Sequence, residues 1–567
     1  VSTIQAEQNI VIRYKPDRPL IVQGVAGSGK TTIALHRIAY LLYAYQDQMQ
    51  PRNMMILAPN PLFLDYISAV LPDLGVEQVV QTTFPMLVAR WLGKQMPKVQ
   101  ETHRLEDMLA MDAQARDAKA ATLRFQGSLR FGRLLQAFLT DLEKHVVPEG
   151  DVMFGPATLY THAQMQQIFQ VELQPFPIKQ RMAEIPKYIK RRLRQAQAQV
   201  LHWLETECAK RAEALADAMP DGPERRERMT RLYDSRDARC KETEARAKTF
   251  TKDYLSQWPT LDLLEVYRAF WSLLWPAELE EAERTLFEAL AAQTLPLLEK
   301  KRISTGDMAP LAFLQRFIGG ISRMDIRHSV IDEAQDFSPL QFQLLREVMG
   351  NPSFTIVGDL MQGVHAYEGL HAWQEILQPV FGEDAQMHFL RTSYRNTVEI
   401  MHFASRVPIC HPVPGQMLAR PVLRHGPEPE LIACVSTKER NERVAAQTAA
   451  LLAEGFHTIA ILAKREEDCK EMIRALPASL SARLLRAEDS SYQGGVLVMS
   501  AVLVKGLEFD AVIMADVGEA QFADELLDAR LLYVCLTRPL HRLTCYYLGA
   551  CTKLLSQAEG SKPAAES

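Results

Sequence analysis

The chain has 567 residues, which is enough for three or four domains of ordinary size. Apolar residues make up 47% and charged residues 23% of the sequence, a composition typical of a globular protein that excludes a mostly disordered chain. The net charge of −5 excludes a surface coated in positive charge for bulk nucleic-acid binding, although it leaves room for a local basic groove.

No targeting or membrane segment is recognisable in the sequence. A secretory signal is absent, and the most apolar stretch, residues 263–275, is short and contains Glu265 and Arg268. The eight cysteines form no CxxC pair and no cluster with histidine. We therefore expect a cytoplasmic protein with reduced cysteines, no zinc site and no membrane contact.

The first predicted elements surround a phosphate-binding loop. Leu20–Gln23 is predicted as a buried strand, Gly24–Thr31 fits the pattern G-x-x-x-x-G-K-[ST], and Thr32–Leu42 has helical spacing. Strand, glycine loop and helix in this order place backbone N–H groups and the positive end of the helix dipole around an anion. Lys30 is predicted to reach the β- and γ-phosphates and Thr31 to hold Mg²⁺. The predicted nucleotide-binding residues of this loop are Gly24, Gly27, Gly29, Lys30, Thr31 and Thr32.

A long helical segment follows, from about Leu87 to Gly319. Residues 190–220 show helical periodicity with charged faces, and prolines such as Pro148 and Pro220 divide the segment. The basic stretch 187–194 is either a contact for phosphate or an acidic protein, or an ordinary solvated helix face. The aromatic stretch 267–275 is expected to be core rather than a platform for bases.

An acidic motif comes next. Residues 327–341, RHSVIDEAQDFSPLQ, combine the predicted strand Ser329–Ile331 with a run of carboxylates. Asp332 at the end of this strand is expected to be the second Mg²⁺ anchor, and Glu333 is expected to orient and deprotonate the attacking water. Together with the phosphate loop, this motif indicates an enzyme that hydrolyses nucleoside triphosphates.

The rest of the chain is typical of a second parallel α/β unit. Its predicted strands are residues 431–436, 458–464, 496–501 and 511–517, and a helix is predicted at residues 438–453.

These blocks, in this order, resemble the superfamily 1 helicases of the UvrD/Rep type, which are ATP-driven motors with two RecA-like domains. The resemblance covers roughly residues 1–90 and 325–550 and implies ATP and Mg²⁺ as ligands. It implies that Gln8 reads the adenine edge, Tyr394 stacks on adenine and Glu508 lies near the ribose. It also implies that Gln362 senses the γ-phosphate and that Arg395 and Arg538 are arginine fingers.

The same resemblance implies contacts with single-stranded DNA through Thr83, Phe84 and Tyr367. Several positions on that predicted DNA surface depart from the family pattern. His365 replaces an aromatic residue, Glu368 replaces an arginine and Val502 stands where the family commonly has histidine; a DNA-contacting threonine is also missing from residues 58–66. These departures argue against the separation of DNA strands as the function of the protein, whereas the residues expected to bind ATP are kept.

The chain has one long helical insertion, and its second α/β unit leaves little room for another. This domain layout is most similar to that of the HelD group of RNA-polymerase-associated ATPases. This resemblance implies RNA polymerase as a partner, with nucleic acid, most simply single-stranded DNA, as a weaker one. HelD-type proteins carry a coiled-coil arm ahead of the Q motif, which residues 4–11, IQAEQNIV, resemble here, so we expect residue 1 to be the edge of a longer protein.

The sequence thus predicts an α/β protein, a P-loop NTPase with two RecA-like domains and a mainly helical insertion in the first. The expected parts are residues 1–90 and 319–385 for the first domain, 91–318 for the insertion, 386–550 for the second domain and 551–567 for a flexible tail. We expect a monomeric ATPase that remodels or releases RNA-polymerase complexes. The alternatives are a DNA helicase or translocase in repair, moving 3′ to 5′, and a non-catalytic scaffold of the same fold.

Overall fold

Two parallel β-sheets carry the fold. The computed structural model describes residues 6–100, 104–272, 279–350, 353–365, 367–486 and 494–556. The strands, in chain order, are β1 (Leu20–Gly24), β2 (Met54–Ala58), β3 (Val80–Thr83), β4 (Lys98–Val99), β5 (Val152–Phe154), β6 (Ala157–Tyr160), β7 (Arg302–Ile303), β8 (His328–Ile331), β9 (Phe354–Gly358), β10 (Gln386–Leu390), β11 (Thr392–Ser393), β12 (Arg420–Pro421), β13 (Glu430–Cys434), β14 (Thr458–Ala463), β15 (Arg483–Leu484), β16 (Gly495–Ser500), β17 (Phe509–Met514) and β18 (Pro539–Leu548).

Helices cover the sheets and fill the long stretch between β3 and β8. In chain order they are α1 (Ala6–Arg13), α2 (Lys30–Ala44), α3 (Pro61–Val70), α4 (Phe84–Leu92), α5 (Arg104–Ala110), α6 (Ala113–Gln126), α7 (Leu129–Lys144), α8 (His162–Gln167), α9 (Ile178–Ala218), α10 (Pro223–Leu255), α11 (Leu263–Ser272), α12 (Glu281–Glu299), α13 (Met308–Ile318), α14 (Pro339–Met349), α15 (Gln374–Ile376), α16 (Val398–Ala404), α17 (Arg406–Cys410), α18 (Thr437–Ala453), α19 (Glu466–Ala475), α20 (Leu526–Leu536) and α21 (Lys553–Ser556).

The first sheet has the order β10-β1-β9-β8-β2-β3, and its strands pair in parallel. Strand β1 lies between β9 and β10, so its carboxyl end, where the phosphate loop starts, lies next to the ends of both. Alternate residues of β1 face opposite sides: Leu20 and Val22 pack with α2 and α3, whereas Ile21 joins the main core. We call this sheet with its flanking helices the first unit.

The second sheet has the order β13-β18-β17-β14-β16-β15 and is likewise parallel. Parallel strands need long crossover connections, and helices α18 to α20 supply several of them. We call this sheet with its helices the second unit. The prediction of two RecA-like domains of parallel sheet and crossover helices is confirmed.

Residues 386–390 differ from the predicted arrangement. The second domain was expected to begin at residue 386, but β10 pairs with β1 in the first sheet, for example Gln386 beside Leu20. The phosphate-loop strand β1 is therefore covered on both edges, and the chain leaves the first sheet only after Leu390.

The predicted helical insertion is present between β3 and β8. Its longest part is an antiparallel hairpin of α9, with 41 residues, and α10, with 33 residues. At about 1.5 Å per residue, α9 alone extends over about 60 Å. Pro220 lies in the turn between the two helices and Pro148 follows α7, as predicted, whereas Pro186 lies inside α9 without ending it.

The aromatic stretch predicted as core is buried where it is described. Tyr267, Phe270 and Trp271 are at most 4% exposed, and their rings pack on one another; residues 273–275 lie outside the described residues. In the basic stretch 187–194, Arg192 is used internally, because it donates to the carbonyl of Leu159 (2.7 Å) and its guanidinium lies over the ring of Tyr160.

The last described element is α21, at the start of the predicted tail, and residues 557–567 of that tail lie outside the described residues. Among the described helices, none combines the length and the hydropathy that crossing a membrane would need.

Candidate nucleotide site between the two units

The phosphate loop has the backbone geometry that its sequence predicts. Gly27 (φ 73°) and Gly29 (φ 76°) adopt the left-handed conformation that favours glycine, and the loop leads directly into α2. Gly29 is the N-cap of α2 and offers no side chain to the first N–H groups of the helix. These donors and the positive end of the helix dipole form a cradle suited to phosphate.

Lys30 is buried beneath this loop. Its ammonium donates to the carbonyls of Gly24 (3.0 Å) and Val25 (3.2 Å). A Cβ at Gly24 would lie 2.6 Å from Cγ of Lys30, so a larger residue there would displace the lysine. Burial lowers the pKa of Lys30, although the nearby carboxylates of Asp359 and Glu333 oppose that effect.

Thr31 and Asp332 meet although they are far apart in sequence. The Thr31 hydroxyl donates to Oδ2 of Asp332 at 2.6 Å, because β8 delivers Asp332 to the same sheet edge at which β1 delivers the phosphate loop. Asp332 is 2% exposed, and burial together with the charge of Glu333 raises its pKa to about 6. A hydroxyl and a buried carboxylate side by side are oxygen ligands of the kind that Mg²⁺ takes beside a phosphate, so this pair fits the ion. Thr32, the next residue, has an exposed side chain at the start of α2.

Glu333 is held in an unusual backbone conformation. Its φ of 50° is left-handed, which is uncommon for a residue with a side chain and typical of functional sites. Gln335 donates to Oε2 of Glu333 at 2.5 Å, and Lys505 from the second unit lies 3.4 Å from the same oxygen. Burial alone would raise the pKa of Glu333, but the charges of Lys505 and Lys30 outweigh it and hold the pKa below its usual range.

A chain of hydrogen bonds connects the strand before the phosphate loop to an arginine of the second unit. Gln23 donates to Oδ1 of Asp359 (3.0 Å), and Gln362 donates to Oδ2 of the same carboxylate (2.7 Å). Arg538 then donates to Oε1 of Gln362 (2.7 Å). Arg538 is 2% exposed, and burial lowers its pKa to about 10, so its charge is preserved at neutral pH.

The segment after β10 closes over the phosphate loop. The backbone N–H of Tyr394 donates to the carbonyl of Gly27 (2.9 Å), and a Cβ at Gly27 would lie 2.5 Å from Oγ of Ser393. Arg395 forms an ion pair with Glu508 of the second unit. The structure thus brings the predicted residues Tyr394, Arg395 and Glu508 to the same side of the loop.

Gln8 also reaches the phosphate loop, because its amide donates to the carbonyl of Ser28 (3.1 Å). The helix that carries it, α1, is fixed by a residue that sequence reasoning missed. Arg37 of α2 is fully buried and donates to the carbonyls of Val11 and Tyr14 near the end of α1. The available signal was a charged residue on the apolar face of α2, between Ile33 and Leu41.

The residues predicted to touch single-stranded DNA are placed differently. Thr83 is the N-cap of α4 and accepts from the backbone N–H of Met86 (3.4 Å). Phe84 is 4% exposed, packed edge-on against Trp91 and Phe337, and Tyr367 is 6% exposed with its hydroxyl at 2.8 Å from Nδ1 of His365. In this arrangement neither ring presents a face on which a base could stack.

Comparisons with known proteins match both units. The family model of the UvrD/REP helicase N-terminal domain matches residues 4–372, and that of the UvrD-like helicase C-terminal domain matches residues 495–545. Among solved structures, the C-terminal domain of a possible DNA helicase from Lactobacillus plantarum WCFS1 is 28% identical, with 30% of this chain and 95% of that chain covered and a TM-score of 0.25. No curated protein matches the chain.

Proposed function

The chain belongs to the UvrD/REP helicase family and is an ATP-hydrolysing, helicase-like enzyme; we propose that it hydrolyses ATP in the contact between its two units and that closure of the units remodels RNA-polymerase complexes on nucleic acid. The observation that carries this proposal is the convergence of side chains from both units on one phosphate loop. The first unit contributes Lys30, Thr31, Asp332 and Glu333, and the second contributes Lys505 and Arg538.

Each group has a role that its position supports. Gln8 donates to the loop, and the hydroxyl of Tyr394 donates to Oε1 of Glu7, the residue before Gln8 (3.4 Å), so both residues support a base-binding role there. Glu508, which pairs with Arg395, is our candidate for the contact with the ribose. Mg²⁺, held by Thr31 and Asp332, would neutralise phosphate oxygens. Glu333, kept ionised by Lys505 and Lys30, would orient the attacking water and accept its proton.

Phosphoryl transfer needs positive charge around the equatorial oxygens of the transferred group. Lys30 supplies one charge from the first unit, and Arg395 and Arg538 supply two more. Arg538 is on the second unit, and Arg395 is tied to that unit through Glu508. Hydrolysis would therefore depend on how the two units sit against each other, which couples the chemistry to domain motion.

The choice of RNA polymerase as partner rests on the resemblance to the HelD group and on two features of the surface. The rings of Phe84 and Tyr367 are buried, which does not favour a base-stacking path for a single strand. The hairpin of α9 and α10 extends well beyond the sheets and offers a long charged surface to a large partner. A 3′ to 5′ DNA helicase or translocase is the alternative.

The test is an ATPase assay of the purified protein, compared side by side with no addition, with single-stranded DNA and with RNA polymerase. We expect Mg²⁺-dependent hydrolysis that polymerase stimulates more than DNA does. Stimulation by DNA alone would replace the polymerase proposal with the helicase alternative, and absence of hydrolysis under all three conditions would contradict the motor itself.

Lys30→Ala is the matching variant for this assay. Because Lys30 is the cation under the phosphate loop, its removal is expected to abolish hydrolysis under each condition. An unchanged rate would mean that the measured activity comes from another protein.

A further inference from the structure

Lys505 crosses from the second unit to two carboxylates of the first. It lies in the connection between β16 and β17, and its ammonium is 2.6 Å from Oδ2 of Asp336 and 3.4 Å from Oε2 of Glu333. We propose that Lys505 is a positioning residue that aligns Glu333 for its work on the attacking water only when the two units are closed. This inference rests on the proposed function and deepens it.

The three side chains are shielded from solvent: Lys505, Glu333 and Asp336 are 10%, 9% and 12% exposed. A buried pair is screened little by salt, and removing one partner leaves an uncompensated charge. The contact therefore favours one arrangement of the units strongly, unlike an ion pair on the open surface.

Asp336 anchors Lys505, and Glu333 is the group that Lys505 orients. The shorter contact is to Asp336, which donates from its backbone N–H to the carbonyl of Glu333 (3.0 Å) in the tight turn after β8. This turn sets the two carboxylates side by side. One ammonium can therefore be fixed by the first carboxylate while it restrains the second.

Glu333 has a second restraint that does not depend on closure. Gln335 donates to the same oxygen, Oε2, and is itself fixed because its Oε1 accepts from the backbone N–H of Asp359 (2.9 Å). Both residues belong to the first unit. Of these two restraints, only the one from Lys505 depends on the position of the second unit. The neighbouring ion pair of Glu508 with Arg395 holds the loop of Lys505 against the segment that follows β10.

The experiment measures kcat, the dissociation constant of ATP and the melting temperature for Lys505→Met, Lys505→Arg and Asp336→Asn. Losing the alignment of a general base removes part of a contribution of about 10²–10⁴-fold, so we expect Lys505→Met to lower kcat by at least about tenfold with ATP affinity kept. Lys505→Arg restores the charge and is expected to recover part of kcat. Asp336→Asn is expected to lower kcat, and the double variant Lys505→Met/Asp336→Asn to be no slower than Lys505→Met, because both substitutions break one contact.

Arg116→Met is the matched control. Arg116 of the insertion pairs with Glu525 at the start of α20 in the second unit, so it too makes an ion pair between parts of the molecule, but away from the phosphate loop. Its removal is expected to leave kcat unchanged.

Wild-type kcat in Lys505→Met would overturn the inference while leaving the proposed ATPase intact. Equal losses of kcat, affinity and melting temperature in Lys505→Met, with no recovery in Lys505→Arg, would also overturn it, since they indicate damage to the fold. If the wild-type protein hydrolyses no ATP, the proposed function fails and the inference fails with it.

Discussion

His328 lies at the start of β8 and is fully buried. Its Nδ1 is 2.7 Å from the hydroxyl of Ser353 and its Nε2 is 3.1 Å from the hydroxyl of Thr355, to which Arg37 also donates. Burial, and then the charge of Arg37, lower the pKa of His328 well below its ordinary value. The imidazole is therefore neutral in the folded protein under conditions in which an unfolded chain would begin to bind a proton.

The sign of the resulting pH dependence follows from linkage. The folded pKa lies below the unfolded one, so below about pH 6.5 the unfolded chain binds more protons and stability is lost as pH falls. We expect the melting temperature to drop between pH 7 and pH 5, and His328→Gln to flatten this drop although it lowers stability at neutral pH. Differential scanning fluorimetry across pH measures both effects.

His202 is the control for that measurement, because it is an exposed histidine on the surface of α9. His202→Gln is expected to leave the pH dependence as in the wild type. A wild-type slope in His328→Gln would mean that another group governs the acid sensitivity.

Single residues of the site were predictable where they stand in one continuous motif. Lys30, Thr31, Asp332 and Glu333 follow buried strands, so the sequence predicts their place at the sheet edge, and their chemical roles stay predictions. Lys505 could not be found in this way, since its partner Asp336 is 169 positions away and the contact exists only when the units meet. The family resemblance implied a role for the nearby Glu508 but none for Lys505.

Among the larger elements, the α9–α10 hairpin has a long outer part that does not pack into the main core. Ile185, Ile189 and Leu193 in the first half of α9 belong to the main core. From residue 201 to residue 246, no side chain belongs to that core, and α10 has Tyr254 near its end as its buried residue. The outer part of the hairpin thus contributes little to the stability of the two units.

Replacing residues 201–246 with a short glycine-serine turn tests what this outer part does. Because it lies outside the core, we expect the melting temperature and the ATPase rate without additions to stay as in the wild type, while stimulation by RNA polymerase is lost. The comparison of stimulated and unstimulated rates measures the effect. Full stimulation without the outer hairpin would place the partner surface elsewhere.

The agreement between predicted and observed strands and helices differs from one part of the chain to another. The second unit follows the sequence closely, as in Thr458–Ala463 against the predicted 458–464, because its buried strands are short apolar runs between helices. The pairing of β10 with the first sheet and the burial of Phe84 were not predictable, since both depend on neighbours distant in sequence. The full extent of α9 was hidden by Pro186, which usually ends a helix but here lies within one.

Among the described residues, polar contacts join different parts of the molecule at two places in particular, in addition to contacts such as that of Arg530 with the carbonyl of Gly363. One is the phosphate loop, with Lys505, Arg538 and the pair of Arg395 with Glu508. The other joins the insertion to the second unit, where Arg116 pairs with Glu525 and Arg465 donates to the carbonyl of Leu109. The second unit thus contacts the candidate nucleotide site and, separately, the base of the insertion that carries the hairpin.

We expect hydrolysis to depend on a charge that the second unit supplies through Arg538, and the substitution Arg538→Ala tests this dependence. An arginine finger is worth about 10³–10⁵ in rate, so we predict a fall of about 10³-fold or more in kcat, with a much smaller change in the dissociation constant of ATP. Arg542, four positions after Arg538, lies in β18 and pairs with Glu454 near the surface, so Arg542→Ala should leave kcat unchanged. An unchanged kcat in Arg538→Ala, or equal losses in kcat and affinity, would show that Arg538 does not stabilise the transition state.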